Sequence, residues 1–498
     1  MNKLIPLLTF LTILLFNTTV SLAQIQTRRL TLQDAIEIAK EQSPDALNSR
    51  QTFRASFWEY KSFKATYLPL FSLDATLPQF QRTISQQTDI NTGQQVFVPQ
   101  QYISSDANLS VSQRIGFTGG SVFISSGLEA VYNLTDSTTI SSFLSTPVNI
   151  GLIQPIFQYN SYKWDRKIQP MKYSQSKQKF LEDVEQISIT TSTYFFNLLN
   201  AQIELKIANT NLSNYDTLYR IAKGRYQLGK IAENDLLLLE LQFLKAQAAL
   251  ENAKLSLDNA LFRFKSFLRI KDTIPIMLLP PSKIDFFTVN PDEAVQLSQK
   301  NSSTFMDFQK RLLEAARDVN QARMSGRFDA ELSAVVGLTK NASTLGAAYQ
   351  NPLDQQQVSL GINIPIYDWG VARGRIKIAE SQEEIVKNSV EQETIDFQRN
   401  VYLKVVQFNM QLIQVTIAAK SDTVAKKNFD VTKGRYLIGK MNSILDLNNA
   451  QIETDNAEKG YYQALETYWR SYYELRKLTL FDFRNNRPIQ FNIADIQL

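Results

Sequence analysis

Lys223-Gly224-Arg225-Tyr226-Gln227-Leu228-Gly229-Lys230 returns 210 residues later as Lys433-Gly434-Arg435-Tyr436-Leu437-Ile438-Gly439-Lys440. Upstream, Leu152-Ile153-Gln154-Pro155-Ile156-Phe157 returns as Ile362-Asn363-Ile364-Pro365-Ile366-Tyr367 at the same offset. Two matches at one spacing mark an internal duplication. A weaker echo sets Leu32-Gln33-Asp34-Ala35 against Pro291-Asp292-Glu293-Ala294. Each G-x-x-x-x-G-K imitates a phosphate-binding loop, but Ile231 and Met441 stand where that loop needs a Ser or Thr for Mg²⁺. A long helical segment, not a strand, precedes each one. The sequence therefore predicts a helix-turn-helix tip, with glycine supplying the left-handed cap.

A heptad leads into the first tip. Phe180, Val184, Ile187, Thr191, Tyr194, Leu198, Ala201, Leu205, Ala208, Leu212, Tyr215, Tyr219 and Ala222 step by fours and threes. This spacing marks a supercoiled helix packed on partner helices. The second repeat carries a noisier version through Val390, Phe397, Val401, Phe408, Val415, Ala418, Ala425 and Phe429. No proline occurs from Asp368 to Thr432, so this helix reaches roughly 100 Å at the α-helical rise.

Between the helices the pattern changes to period two. Asn108–Ile115 and Ser121–Ser126 alternate, with Phe117-Thr118-Gly119-Gly120 as a hairpin turn between them. Phe328–Leu338 and Val358–Ile366 behave alike. With the helices on one side of a membrane, each block holds an even number of crossings. The reading is four in the first block and two in the second, with two in the first as the alternative. Such a protomer cannot close a barrel alone, so several protomers share one. Phe157, Tyr159, Tyr162 and Trp164 at one strand-to-helix junction, and Tyr367 and Trp369 at the other, suit an interfacial girdle or ordinary packing at a joint.

Composition narrows the chemistry. The chain of 498 residues has no Cys and no His, which removes thiolate and imidazole catalysis, disulfides and nearly all zinc and copper sites. Acid pairs such as Asp34/Glu37 and Glu383/Glu384 read as solvated helix surface. No enzyme, cofactor or metal is expected. A net charge of +5 is too mild to imply nucleic acid. Lys3, the apolar Leu4–Phe16 and Ser21-Leu22-Ala23 read as an export signal cleaved after Ala23.

These parts resemble the TolC family of outer-membrane ducts. The opening Leu30-Thr31-Leu32-Gln33-Asp34-Ala35-Ile36-Glu37-Ile38-Ala39 with Ser43-Pro44 is similar to the family's start. Pro155-Ile156-Phe157 and Pro365-Ile366-Tyr367-Asp368-Trp369-Gly370 resemble its strand-to-helix signature. Arg435-Tyr436, Gly439 and Leu445-Asp446-Leu447-Asn448-Asn449-Ala450-Gln451 resemble its periplasmic tip. The resemblance implies an α+β membrane protein, a homotrimer in which a long α-helical coiled-coil barrel joins a shared transmembrane β-barrel. It implies a passive exit duct for efflux or type I secretion, opened at its inner end by a periplasmic adaptor and an inner-membrane transporter. Asp446 and Asn449 match the family's acidic constriction, with an amide replacing one acid. Asp235 takes a position that is often acidic and pairs across the constriction with Tyr436. Arg225, Leu228, Gly229, Arg435, Ile438 and Gly439 match the adaptor-facing turns.

The expected division follows the repeats. It runs as signal peptide (1–23), first helix (24–70), first strand block with outer loops (71–158) and first hairpin (159–271), whose tip lies near 223–231. An equatorial connector (272–290) leads to the second helix (291–326), second strand block (327–367) and second hairpin (368–481), whose tip lies near 433–441. A tail (482–498) ends the chain. A lumenless coiled-coil adhesin or a periplasmic spacer competes with this reading but leaves the matched strand blocks unexplained.

Overall fold

The computed structural model describes residues 28–90, 92–134, 138–272, 274–281, 287–440 and 443–490. The expected export signal, Met441 of the second tip and the last eight residues of the tail lie outside them. By their contacts the described residues form two units. One holds the chain up to Arg50 with Leu181–Ser298 and Asn400–Gln490; the other holds Gln51–Phe180 with Gln299–Arg399.

Where one helix was expected over 24–70, a short strand β1 (Arg28–Leu30) precedes two helices, α1 (Leu32–Gln42) and α2 (Pro44–Ala65). The break has a local cause. Thr31 and Asp34 form a reciprocal capping box at the start of α1. At its end Ser43 turns extended and Pro44, which has no N–H to donate, opens α2. The second repeat makes the same break between α5 (Pro291–Asn301) and α6 (Ser303–Ser325), where the Ser302 hydroxyl accepts from the Phe305 N–H.

The strands form one antiparallel sheet: β2 (Leu70–Thr88), β3 (Gln95–Arg114), β4 (Ser121–Leu134), β5 (Thr139–Ile156), β7 (Asp329–Ala342) and β8 (Leu353–Asn363), in that spatial order. The first block thus holds four strands and the second two. They are longer than the roughly 10 residues that a tilted strand needs to cross a bilayer, up to 20 in β3. Ladder slips fall at Thr76/Gln79, Ser125/Gly127 and Ser145/Val148; the first and last span a proline, Pro78 and Pro147, that cannot donate to its neighbour.

Strand register gives the sheet two unlike faces. Phe71, Val111, Ile124, Ile150 and Val336 pair in one unbroken row across β2, β3, β4, β5 and β7. The neighbouring row, Ser72, Ser110, Ser125, Asn149, Gly337 and Gln355, crosses all six strands on the other face. The apolar row is open: Phe71 is 71% exposed, Ile150 57% and Val336 56%. An apolar face of that extent suits lipid rather than water. No helix among the described residues is long and apolar enough to cross a membrane.

Helices α3 (Ser161–Gln227) and α7 (Val371–Leu437) are both 67 residues long and begin and end at the 210-residue offset. Each turns into a shorter partner, α4 (Glu233–Phe267) or α8 (Ile444–Thr479). The connector 272–290 carries β6 (Ile276–Leu278), which pairs in parallel with β1. The Gln202 amide clasps β6 from α3, donating to the Ile276 carbonyl and accepting from the Leu278 N–H. Asn409 of α7 clasps Val289 in the same way.

Arg476 anchors the end of α8. Its guanidinium forks onto Glu185, with both bonds at 2.9 Å, and reaches Asp482 at 3.2 Å. Those two carboxylates are 1% and 5% exposed, so Arg476 bridges two buried acids.

Candidate functional site

The two tips share one backbone. After α3, the Gly229 N–H donates to the Tyr226 carbonyl and the Lys230 N–H to the Arg225 carbonyl; after α7, Gly439 donates to Tyr436 and Lys440 to Arg435. These are the two bonds of a Schellman cap, and the glycines hold φ of +65° and +73°. The connection into α8 is one residue longer than that into α4, and its N-cap Ser443 accepts from the Asp446 N–H.

Side chains break the symmetry. Tyr436 is 1% exposed, whereas its counterpart Tyr226 is 41% exposed. Tyr436 belongs to an apolar cluster with Leu218, Ala222, Leu239, Phe429, Ile444 and Leu447, drawn from all four hairpin helices. Arg225, expected on the outward turn, is part-buried and bound to α7 instead. It donates to the carbonyls of Tyr436 at 3.3 Å and Leu437 at 3.2 Å, and its guanidinium lies 5.1 Å from the Tyr436 ring centre. Burial raises the Tyr436 phenol above its ordinary range, with the Asp235 carboxylate adding and Arg225 opposing. Among the described residues its hydroxyl has no partner in good hydrogen-bond geometry.

Asp446 and Asn449 are exposed on the first turns of α8, as are Leu228, Arg435 and Ile438 on the turns. Asn448 points inward and accepts from the Tyr215 hydroxyl at 2.8 Å. Burial pushes that phenol up to about 12, with Asp455 adding.

Tyr215–Asn448 is the last rung of a ladder joining α3 to α8. Above it, Asn214 meets Gln451 at 3.4 Å, Asn211 meets Asp455 at 2.6 Å and Lys206 meets Glu458 at 3.3 Å. Lys459 then meets Glu204 at 2.9 Å, and Asn200 meets Glu466 at 3.4 Å. Residue numbers rise on one helix as they fall on the other, so the pair is antiparallel. Burial lifts Asp455 and Glu466 above the usual carboxylate range, against the hydrogen bonds they accept. The sequence reading missed this ladder, although its α3 members other than Tyr215 lie on polar positions beside the heptad.

Phe157 is exposed and packs on Phe328 with ring centres 4.9 Å apart. The Trp164 Nε1–H donates to Asn320 Oδ1 at 3.3 Å, and the Tyr162 ring lies under Arg114. Tyr159 is half-buried. Tyr367 and Trp369 are exposed and meet edge to face at 4.6 Å.

The model of the outer membrane efflux protein family matches residues 35–268 and 294–479, one match per repeat. The chain belongs to this family. No curated protein matches the sequence. Solved structures share the fold. The Campylobacter jejuni CmeC outer membrane channel is 16% identical with a TM-score of 0.63, and the alignment covers 93% of this chain and 88% of that one. The open-state MtrE outer membrane channel of Neisseria gonorrhoeae is 15% identical with a TM-score of 0.60, covering 92% and 91%. VceC of Vibrio cholerae is 12% identical with a TM-score of 0.60, covering 92% and 97%. The protein is thus an outer-membrane efflux channel with a helical extension in the periplasm, from a family of non-enzymatic transport proteins.

Proposed function

We propose that three copies form a passive exit duct, closed at the paired tips and opened when an adaptor and an inner-membrane transporter engage them. Trimers are the assembly of this family's channels in tripartite pumps. The observation that carries the gate is Arg225 seated on the last turn of α7, a link between hairpins at the point where both chains reverse. The buried Tyr436 and the neighbouring, part-buried Asp235 form the inner half of the gate. Asp446 and Asn449 face the constriction, with an amide in place of one acid. Leu228 at 73% exposure and Ile438 at 66%, on turns shaped by Gly229 and Gly439 beside Arg435, give an adaptor apolar knobs to grip. Phe157, Tyr159, Tyr162, Trp164, Tyr367 and Trp369 mark the inner membrane-water boundary, and the connector 272–290 belts the helices.

The test is a Leu228→Asp, Ile438→Asp double variant, followed by its trimer in the outer-membrane fraction and by dye accumulation in cells. The expected result is an intact trimer that no longer exports, so that dye accumulates several-fold. Unchanged export would remove the tips from adaptor docking, and a wild-type protein that never trimerises would remove the duct.

A further inference from the structure

We infer that the outer-membrane wall of this channel holds eighteen strands, six from each of three copies, and that it is wide enough to pass a polypeptide with helical structure. The inference rests on the trimeric reading above and concerns what that trimer encloses.

The deciding segment is Ile115–Gly120, which joins β3 to β4. If it lay at the outer end, these strands would be a long external loop and each copy would give the wall only four strands. It lies instead against the helix junctions. Asn160, one residue before α3, donates to the Gly116 and Phe117 carbonyls, and Gln154 donates to the Thr118 carbonyl. Gln113 bonds the carbonyl of Tyr67, just past α2. A Cβ on Gly116 would stand 2.8 Å from the Tyr67 ring, and Gly119 holds φ +82°, so both positions need glycine. The chain therefore crosses outward and back twice before α3 begins.

Both faces of these added strands match the rest. Val111 and Ile124 continue the apolar row from Phe71 to Ile150, and Ser110 and Ser125 continue the polar row from Ser72 to Asn149. A hairpin lying outside the wall has no reason to keep both rows in register. The shortest strand of the six, β8, has 11 residues, enough to cross.

Among the described residues the sheet ends in two unpaired edges, β2 and β8. Six strands are too few to close on themselves, since the smallest membrane barrels have about eight. A long edge carrying Leu73, Leu77, Val358 and Leu360, each more than half exposed, invites another strand. The occupant is a second copy. β2 leaves the helix side and β8 returns to it, so β8 of one copy meets β2 of the next antiparallel, and the even strand count lets this repeat until the ring closes.

Size follows from spacing. Strands about 4.8 Å apart and tilted near 40° place eighteen strands on a ring about 35 Å across between backbones, against about 24 Å for twelve. After side chains the clear width is roughly 20–25 Å, which admits a pair of α-helices of about 10–12 Å each.

Electron cryo-microscopy of the full chain in lipid nanodiscs counts the strands directly. A threefold wall of eighteen, with β8 beside the next copy's β2, is expected. A threefold wall of twelve with the β3–β4 hairpin outside it overturns the inference and leaves the trimer standing; loss of threefold symmetry overturns the trimer itself. The chain has no cysteine, so Leu73→Cys combined in turn with Gln356→Cys, Val358→Cys and Leu360→Cys gives a clean second test. At one register, oxidation should convert most of the protein to a covalent trimer on a denaturing gel, and no cross-link at any register contradicts the β2–β8 closure.

Discussion

Arg225→Ala removes a charged link between the tip turns of the two hairpins. The guanidinium makes two bonds to helix-end carbonyls at 3.3 and 3.2 Å and lies 5.1 Å from the Tyr436 ring. Charged hydrogen bonds contribute about 1.5–3 kcal/mol and an exposed cation–π contact about 0.5–1, but this side chain is only part-buried and both bonds are long. A combined loss of about 2 kcal/mol is the reasonable figure, which is about thirtyfold in a two-state equilibrium. If the closed tip makes this contact and the open tip breaks it, the open fraction in planar bilayers rises by about that factor. Arg225→Lys keeps the charge without the fork and should fall between the two. An Arg225→Ala trimer with wild-type thermal stability and a wild-type open fraction would refute the gate.

Further tests address the scaffold. Gly229→Ala and Gly439→Ala force a Cβ into left-handed backbone and should each cost about 1–2 kcal/mol, read as a lower melting midpoint. Gly224→Ala, in open space within α3, should stabilise by up to about 1 kcal/mol. Arg476→Ala takes the guanidinium from Glu185 and from Asp482, which keeps its bonds to Tyr472 and Asn485, and should cost about 3 kcal/mol, with lysine recovering part of it in the same melts. Asp455 has a raised folded pKa, so its contribution to stability is full below the ordinary Asp range and is lost as pH rises through the raised value. Melts from pH 7 to 4 should therefore show the wild type gaining on Asp455→Asn as pH falls, and a constant difference would contradict the burial account.

Local periodicity carried much of this architecture. The Lys223–Lys230 and Lys433–Lys440 segments announce the duplication, and α3 and α7 end within it at equivalent residues. Alternation around Ser110 and Ser125 reveals strands because one face meets lipid and the other does not. What local pattern could not reveal is partner choice. Arg225-Tyr226 and Arg435-Tyr436 are the same dipeptide, yet Tyr226 is exposed and Tyr436 is buried. That difference depends on Leu218 and Leu239 arriving from the other hairpin, some 200 residues away in the chain. Glu185 and Arg476 are 291 residues apart, and β1 pairs with β6 across some 250 residues of chain, too far for any local signal. The Ser43-Pro44 break was readable from proline chemistry, but the flanking apolar residues masked it as one helix.

The most direct test of the whole account is current through the purified full-length protein in a planar bilayer. Discrete, uniform steps from trimers are expected, with openings that lengthen when Arg225 or Tyr436 is altered. Trimers verifiably inserted in the bilayer that carry no current, in the wild type and in both tip variants, would contradict it.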